Sequence, residues 1–138
     1  MYLLDTNVVS ELRRPRPHGG VVSWLRSVDA NALFLSAVTL GELQVGVEKT
    51  REQDRAKAAE IERWLERTVH AYNVLPMDGA TFRMWARLMH GRSVTLYEDA
   101  MIAATAKVNR LIVVTRNVGD FKDFGVDVLN PFATSNPS

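Results

Sequence analysis

Four acidic residues stand beside small or apolar neighbours, at positions that favour one shared site. Asp5 ends the apolar run at residues 2–4, and Glu42 follows the second apolar run by a short helical stretch. Asp99 precedes five small or apolar residues, and Asp120 follows the most β-branched stretch of the chain. A carboxylate in apolar surroundings is costly unless a cation or a hydrogen-bond donor meets it. These four acids are therefore our candidate site residues.

If the four carboxylates converge, their mutual repulsion raises their pKa values and destabilises the empty site. A divalent cation relieves that repulsion. Oxygen ligands without His or Cys favour hard cations such as Mg²⁺ or Mn²⁺, and the chain contains no cysteine. A water molecule activated by such a cation can attack a phosphodiester while the cation neutralises the developing charge. The pattern predicts metal-dependent phosphodiester hydrolysis.

Each of these acids also has an ordinary structural explanation. Asp5 can cap a short first helix, and Glu42 can pair with an arginine or extend into solvent. Asp99 can complement a helix dipole, and Asp120 can occupy a turn. Spacing alone does not separate these roles from metal binding.

Strands and helices alternate in the hydrophobic pattern. Short apolar runs predict strands at residues 2–4, 33–35, 74–75, 111–114 and 126–129. Helical spacing predicts helices between them, one of them capped by Ser36 and one, over 99–108, opened by a capping box of Thr95 and Glu98. Residues 115–121, after the fourth strand, are predicted to be a loop. Alternating strands and helices predict an α/β fold with a parallel sheet, whose ligands bind at the carboxyl ends of the strands.

Composition bounds what the chain can do. A length of 138 residues with 46% hydrophobic and 24% charged residues fits one globular domain. The net charge of +1 excludes a polybasic surface, so any contact with nucleic acid must be local. We see neither a signal peptide nor a run of about 20 apolar residues, and expect a cytoplasmic protein with no membrane partner. We expect the domain to span residues 1–132, with a frayed tail at 133–138.

Four motifs together resemble a known family. Leu-Leu-Asp-Thr-Asn at 3–7 resembles the opening signature of PIN-domain ribonucleases, and residues 36–46 around Glu42 resemble their second motif. Residues 99–106 resemble the third motif, while 114–117, Asp120-Phe121 and Asn-Pro-Phe at 130–132 resemble the C-terminal signature. The resemblance covers nearly the whole chain, in order. It is closest to the VapC and FitB toxins of prokaryotic type II toxin–antitoxin modules, including the Arg-Pro-rich segment after the first motif.

The resemblance implies a PIN-like three-layer α/β/α sandwich with a central parallel sheet. By motif position, Asp5, Glu42 and Asp99 would be catalytic metal ligands, directly or through water. The fourth position stays open, because some relatives place an acid where this chain has Asn117 and others place it at Asp120. We expect Asp120 to be a further catalytic residue, as an outer partner or a ligand of a second metal.

The resemblance also implies outer partners for the ligand carboxylates. Thr6, Asn7 and Thr115 would hydrogen-bond those carboxylates or a water and so fix their orientation, and Asn117 would join them if it is not a ligand. The alternative for Thr6 and Thr115 is local bonding to the backbone.

Toxins of this family cut RNA, which implies sites for phosphates. The basic segment with Arg13, Arg14 and Arg16, together with Arg116, is our candidate for holding RNA phosphates near Asp5. The alternative is an ordinary solvated loop. The resemblance further implies a cognate antitoxin of the VapB type and a homodimer.

We therefore predict a Mg²⁺-dependent endoribonuclease, with Mn²⁺ as a possible substitute, that acts as the toxin of a toxin–antitoxin module. The alternative is a PIN-fold module that binds RNA or a partner with weak catalysis, which Asn117 favours. A phosphatase with Asp5 as nucleophile is disfavoured, because Asn7 stands where a second acid would be needed for proton transfer.

Overall fold

A computed structural model describes residues 1–133, which form an all-parallel sheet between layers of helices. The sheet order is β3-β2-β1-β4-β5. Its strands are β1 Tyr2–Leu4, β2 Leu33–Ser36, β3 Asn73–Leu75, β4 Ile112–Val114 and β5 Val128–Leu129. The helices are α1 Thr6–Glu11, α2 Gly19–Ser27, α3 Ala37–Arg51, α4 Arg55–Ala71, α5 Gly79–Met89, α6 Tyr97–Asn109 and α7 Val118–Asp123. The predicted three-layer sandwich with a central parallel sheet is confirmed.

The central strand β1 is buried on both faces, because successive side chains of a strand point to opposite sides of the sheet. Leu3 packs with α6 and with Phe121 and Phe124 of the α7 region, and Leu4 packs with α1 and α2. Both leucines are fully buried. This two-sided burial explains why the run that precedes Asp5 is continuously apolar rather than alternating.

The order of the strands creates a crevice beside β1. The chain runs outward from β1 through β2 to β3, and then returns to β4 on the other side of β1. Ligands of open α/β sheets bind where the strand order reverses in this way. Leu4 pairs with Val114, and the Asp5 amide donates to the Val114 carbonyl at 2.9 Å. Asp5 and Thr115 therefore lie side by side at the carboxyl edge of the sheet.

The predicted capping box of Thr95 and Glu98 is wrong. Ser93 accepts a hydrogen bond from the Thr95 amide at 3.3 Å and opens a single 3-10 turn at Val94–Leu96. Helix α6 then begins at Tyr97 with no side-chain cap. The earlier hydroxyl thus takes the capping role, and Glu98 is left in the first turn of α6, one residue before Asp99.

The predicted loop at residues 115–121 is also wrong in part, because α7 begins at Val118. Phe121 and Phe124 are three residues apart and both are buried against α6 and β4. That spacing places both rings on one face of a helical turn. Burial of the two rings stabilises a helix that the local sequence pattern does not predict. Asp120 lies in the first turn of this helix.

Among residues 1–133, no helix combines the length and the apolar character needed to cross a bilayer. The domain limit at residue 132 stays a prediction. Of the predicted tail, residues 134–138 lie outside the described residues.

Candidate active site

A cavity of about 390 Å³ opens at the carboxyl edge of the sheet. Three of the four predicted acids, Asp5, Glu42 and Asp99, line it. They come from three separate segments: the end of β1, the second turn of α3 and the first turn of α6. The fourth, Asp120, is not among its lining residues. The cavity defined by these three acids is called the acidic cavity below.

Asp5 is buried and is held by three donors. Its Oδ1 accepts the Thr6 amide at 2.8 Å, and its Oδ2 accepts the Thr115 hydroxyl at 2.8 Å and the Asn7 side-chain amide at 3.0 Å. Asp5 is also the N-cap of α1. Its predicted capping role is therefore real, and this role does not prevent the same carboxylate from facing the acidic cavity. Burial raises the pKa of Asp5, while its hydrogen bonds from Thr115, Thr6 and Asn7 lower it.

Glu42 is half-buried and is oriented by a pair of threonines. The Thr6 hydroxyl donates to Glu42 Oε1 at 3.1 Å and lies 3.0 Å from the hydroxyl of Thr39, which is fully buried one turn earlier in α3. Burial, then the negative charge of Glu98, raises the pKa of Glu42 to about 7. Glu42 makes no ion pair with an arginine among residues 1–133, so the pairing alternative is wrong.

Asp99 is half-buried at the start of α6. Burial is the largest cause that raises its pKa to about 6, followed by the negative charges of Asp5, Asp120 and Glu98. The position in the first helical turn agrees with the dipole alternative, and Asp99 also lines the acidic cavity together with Asp5. Asp120 lies close enough for its charge to act on Asp99, although it does not line the acidic cavity.

The donor set of the acidic cavity suits a hard cation. It offers carboxylate and amide oxygens, and the repulsion between its acids is what a divalent cation would relieve. Within the first 133 residues, no group of three or more acidic or His side chains is arranged so that it could hold a metal ion by itself. Mg²⁺ ordinarily keeps several waters and takes only one or two protein carboxylates, so it does not require three ligands from the protein.

Two acids of the site were missed from the sequence. Glu98 was assigned to a capping box, yet its charge acts on both Glu42 and Asp99. Glu11 is buried and lines the acidic cavity, where it accepts the His18 amide at 2.9 Å. The signal for Glu11 was its position four residues after Asn7, which puts both on one face of α1.

The four candidate arginines divide into two groups. Arg14 and Arg116 line the acidic cavity, where Arg14 Nε lies 3.7 Å from Glu11 Oε1 and the Arg116 guanidinium lies 3.8 Å from the centre of the Phe132 ring. Arg13 lines two neighbouring cavities instead, and Arg16 is exposed outside the acidic cavity. Arg14 and Arg116 therefore lie nearest the acids, and the binding of RNA phosphates by the four arginines stays a prediction.

Thr115 and Asn117 extend the hydrogen bonds around Asp5. The Thr115 hydroxyl donates to Asp5 and accepts the Asn117 amide at 2.9 Å. The Arg116 amide donates to Asn7 Oδ1 at 3.4 Å, so Asn7 links Asp5 to the β4–α7 segment. Asn117 lines the acidic cavity and Asp120 does not, and the choice between them as the fourth site residue stays a prediction.

Comparison with known proteins shows which family the chain resembles. Residues 2–126 match the pattern of the PIN domain family. A relative described as a VapC ribonuclease, from Sinorhizobium fredii, is 33% identical over 143 residues, covering 96% of this chain and 98% of the relative.

Two solved structures resemble the chain over nearly its whole length. FitAcB from Neisseria gonorrhoeae has a TM-score of 0.85 at 36% identity, with 97% of this chain and 100% of that chain covered. A toxin–antitoxin complex from Klebsiella pneumoniae has a TM-score of 0.67 at 26% identity, with 95% of this chain and 98% of that chain covered.

Proposed function

This chain belongs to the PIN domain family, and we propose that it is an endoribonuclease, dependent on Mg²⁺ or Mn²⁺, that acts as the toxin of a type II toxin–antitoxin module. The observation that carries the proposal is the convergence of Asp5, Glu42 and Asp99 on one cavity. The relative described as a VapC ribonuclease and the structure described as a toxin–antitoxin complex support the same activity and role.

Asp5, Glu42 and Asp99 would hold the cation, directly or through water, with Asp120 as an outer partner of Asp99. When bound, the cation supplies neutralisation of the phosphate charge and a lowered pKa for the attacking water. Thr115 and Asn7 keep the Asp5 carboxylate in one orientation, and Thr6 does the same for Glu42. Such outer partners set the precision of a metal site.

Arg14 and Arg116 would bind the phosphates of the RNA on either side of the bond that is cut. Both line the acidic cavity, and each has one further contact, that of Arg14 with Glu11 and that of Arg116 with the Phe132 ring. A planar guanidinium pairs well with phosphate oxygens. Contacts of this kind hold the strand in position without selecting its bases.

The cognate antitoxin, a homodimeric state and a cytoplasmic location belong to the same proposal. The toxin–antitoxin complex from Klebsiella pneumoniae supports the antitoxin. Co-expression with the protein encoded by the neighbouring reading frame, followed by size-exclusion chromatography, tests the first two. We expect a stable complex that no longer cleaves RNA, built on two copies of this chain. A neighbour that neither binds nor inhibits would contradict the toxin role.

The central experiment replaces Asp5 with Asn and measures cleavage of total RNA at millimolar Mg²⁺. Asn keeps the size of the side chain but removes the charge, so we expect cleavage and growth inhibition to be lost while the fold is retained. Asp127→Asn is the matched control, because Asp127 is exposed beside β5 at the opposite edge of the sheet. Cleavage by Asp5→Asn at the wild-type rate would overturn the proposal.

A binding module with weak catalysis is the second candidate, and Asn117 is the observation that favours it. This amide lines the acidic cavity where some relatives carry an acid. If the missing charge limits catalysis, Asn117→Asp should cleave RNA faster than the wild type. An active wild type that is slowed by Asn117→Asp would instead favour the nuclease with an amide as its fourth group.

A further inference from the structure

A second cavity, of about 170 Å³, lies beside α4 and concentrates positive charge. Arg13, Lys57 and Arg67 surround it, with Glu60 as the single acid among its lining residues, and Ile61 and Trp64 form its apolar part. Lys57, Ile61, Trp64 and Arg67 follow one another at helical spacing, so one face of α4 carries both the charges and the ring. This site is called the basic cavity below.

The three cations of the basic cavity have no ion-pair partner among residues 1–133. Across residues 1–133, the ion pairs involve other side chains, and no hydrogen bond is made by the side chains of Arg13, Lys57 or Arg67. All three are exposed. On a chain with a net charge of only +1, this local excess of positive charge favours an anionic ligand.

The basic cavity is joined to the acidic cavity. A connecting cavity of about 300 Å³ between α1, α3 and α4 shares Arg13, Ile61 and Trp64 with the basic cavity. It shares Thr6 and Glu42 with the acidic cavity. The three neighbouring cavities, which share these lining residues, are together called the groove below, and a strand whose phosphate lies beside Glu42 would follow the groove to reach Trp64.

From this arrangement we propose that the basic cavity is a subsite for single-stranded RNA, binding a nucleotide that flanks the cleaved bond. Arg13, Lys57 and Arg67 bind its phosphates, and a base inserts against Trp64 and Ile61. Combination of a cationic groove with an aromatic surface is how proteins hold single strands without selecting sequence. The inference rests on the proposed ribonuclease function and adds the path of the substrate.

The charge of the acidic cavity explains why a separate cationic subsite would be needed. The acidic cavity presents Asp5, Glu11, Glu42 and Asp99 to a polyanion and sets only Arg14 and Arg116 against them. A strand must be attracted to the protein by charge that lies elsewhere. The groove supplies three such charges at a position the strand reaches after passing Glu42, and their contribution should decrease with salt as counterions are released.

The test measures binding of a fluorescein-labelled single-stranded RNA of about 12 nucleotides by anisotropy, in EDTA so that it is not cut, across a range of NaCl concentrations. The test variant combines Arg13→Gln, Lys57→Gln and Arg67→Gln. The control variant combines Arg83→Gln, Arg87→Gln and Arg110→Gln, which removes the same charge from exposed positions on α5 and after α6.

We expect the slope of log affinity against log salt to become shallower by about 2 in the test variant, since each lost phosphate contact removes about 0.7 for a single strand. The control variant should keep the wild-type slope to within about 0.5. Equal slopes in the two variants overturn the inference, and they leave the ribonuclease proposal intact if the wild type still cuts RNA.

A wild type that binds no RNA overturns both proposals. Loss of antitoxin binding in the test variant, with RNA binding unchanged, overturns the inference in favour of a protein partner at this surface.

Discussion

The acidic cavity and the basic cavity lie along one groove but are built in opposite ways. The acids come from three distant segments, are buried or half-buried, and are fixed by hydrogen bonds such as the 2.8 Å contact from Thr115 to Asp5. The cations are exposed, make no ion pair within the part of the chain that the structure describes, and are carried mainly by one helix. A metal centre needs fixed geometry, whereas attraction of a polyanion needs only charge at the right distance. The difference in construction follows from the difference in task.

The largest effect should come from removing an acid from the acidic cavity. Asp99→Asn should slow RNA cleavage more than about 100-fold, because loss of a ligand costs more than the roughly 10–100-fold loss of an outer partner. RNA binding in EDTA should not weaken, since a negative charge is taken from the path of a polyanion. Cleavage rates and fluorescence anisotropy, measured on the same preparation, check the two expectations. If Asp99→Asn lost RNA binding and RNA cleavage together, the acidic cavity could not be distinguished from the basic cavity as a site of catalysis rather than binding.

The next effect concerns a residue that only orients an acid. Thr115→Val keeps the shape of the side chain but removes the donor to Asp5, so apparent affinity for Mn²⁺ should fall roughly 10–100-fold. Saturating metal should restore most of the cleavage rate. Thr68→Val is the control, because Thr68 is also buried but bonds to the Trp64 carbonyl of its own helix. A Thr115→Val enzyme with an unchanged metal dependence would show that the hydrogen bond does not position Asp5.

A third prediction uses pH to detect repulsion in the acidic cavity. Burial and Glu98 raise the pKa of Glu42 from 4.5 to about 7. The native state therefore binds this proton more tightly than the unfolded chain, and the stability gained at low pH is lost as pH rises through about 7. In EDTA, Glu42→Gln should then become more stable than the wild type by roughly 1 kcal/mol at pH 8, a value discounted because the group is half-exposed.

At pH 5 that difference in stability should be small, and Mg²⁺ at pH 8 should narrow the difference by stabilising the wild type more than the variant. Thermal melts at the two pH values, with and without metal, measure each part. A wild type more stable than Glu42→Gln at pH 8 without metal would contradict repulsion in the empty site.

The smallest effect tests how Arg116 is held. Phe132→Leu removes the ring beneath its guanidinium, and a cation–π contact at an exposed site contributes about 0.5–1 kcal/mol. RNA affinity should fall about two- to fivefold. In a protein that already carries Arg116→Gln, the same substitution should have no further effect. Additive losses would mean that Phe132 acts on RNA by another route.

The sheet and most helices could be predicted because local pattern and tertiary role agree. The run at Leu3 and Leu4, the Ser36 cap and the helix from Gly79 to Met89 each carry a signal within a few residues. Helix α7 could not be predicted in this way. This helix is stabilised by burial of Phe121 and Phe124 against segments that are distant in sequence. A local sequence pattern contains no information about those contacts.

The residues of the site likewise differ in how much of their role the local sequence reveals. The motifs predicted Asp5, Glu42 and Asp99 as site residues, because each acid lies beside apolar residues that must be buried. The sequence pattern predicted a capping role for Glu98, and Glu11 was passed over although it lies four residues after Asn7. The folded chain places Glu11 in the acidic cavity and brings the charge of Glu98 to Glu42. The sequence brought out Arg13 as a candidate for binding phosphates but not Lys57 and Arg67, because α4 is distant from Arg13 in sequence.

The most direct test of the account is an anomalous difference map from a crystal of this protein grown with Mn²⁺. We predict a peak in the acidic cavity, within about 2.0–2.5 Å of carboxylate oxygens of Asp5 and Asp99, that is absent from crystals of Asp5→Asn. An empty acidic cavity in a protein that still cuts RNA under the same conditions would contradict it.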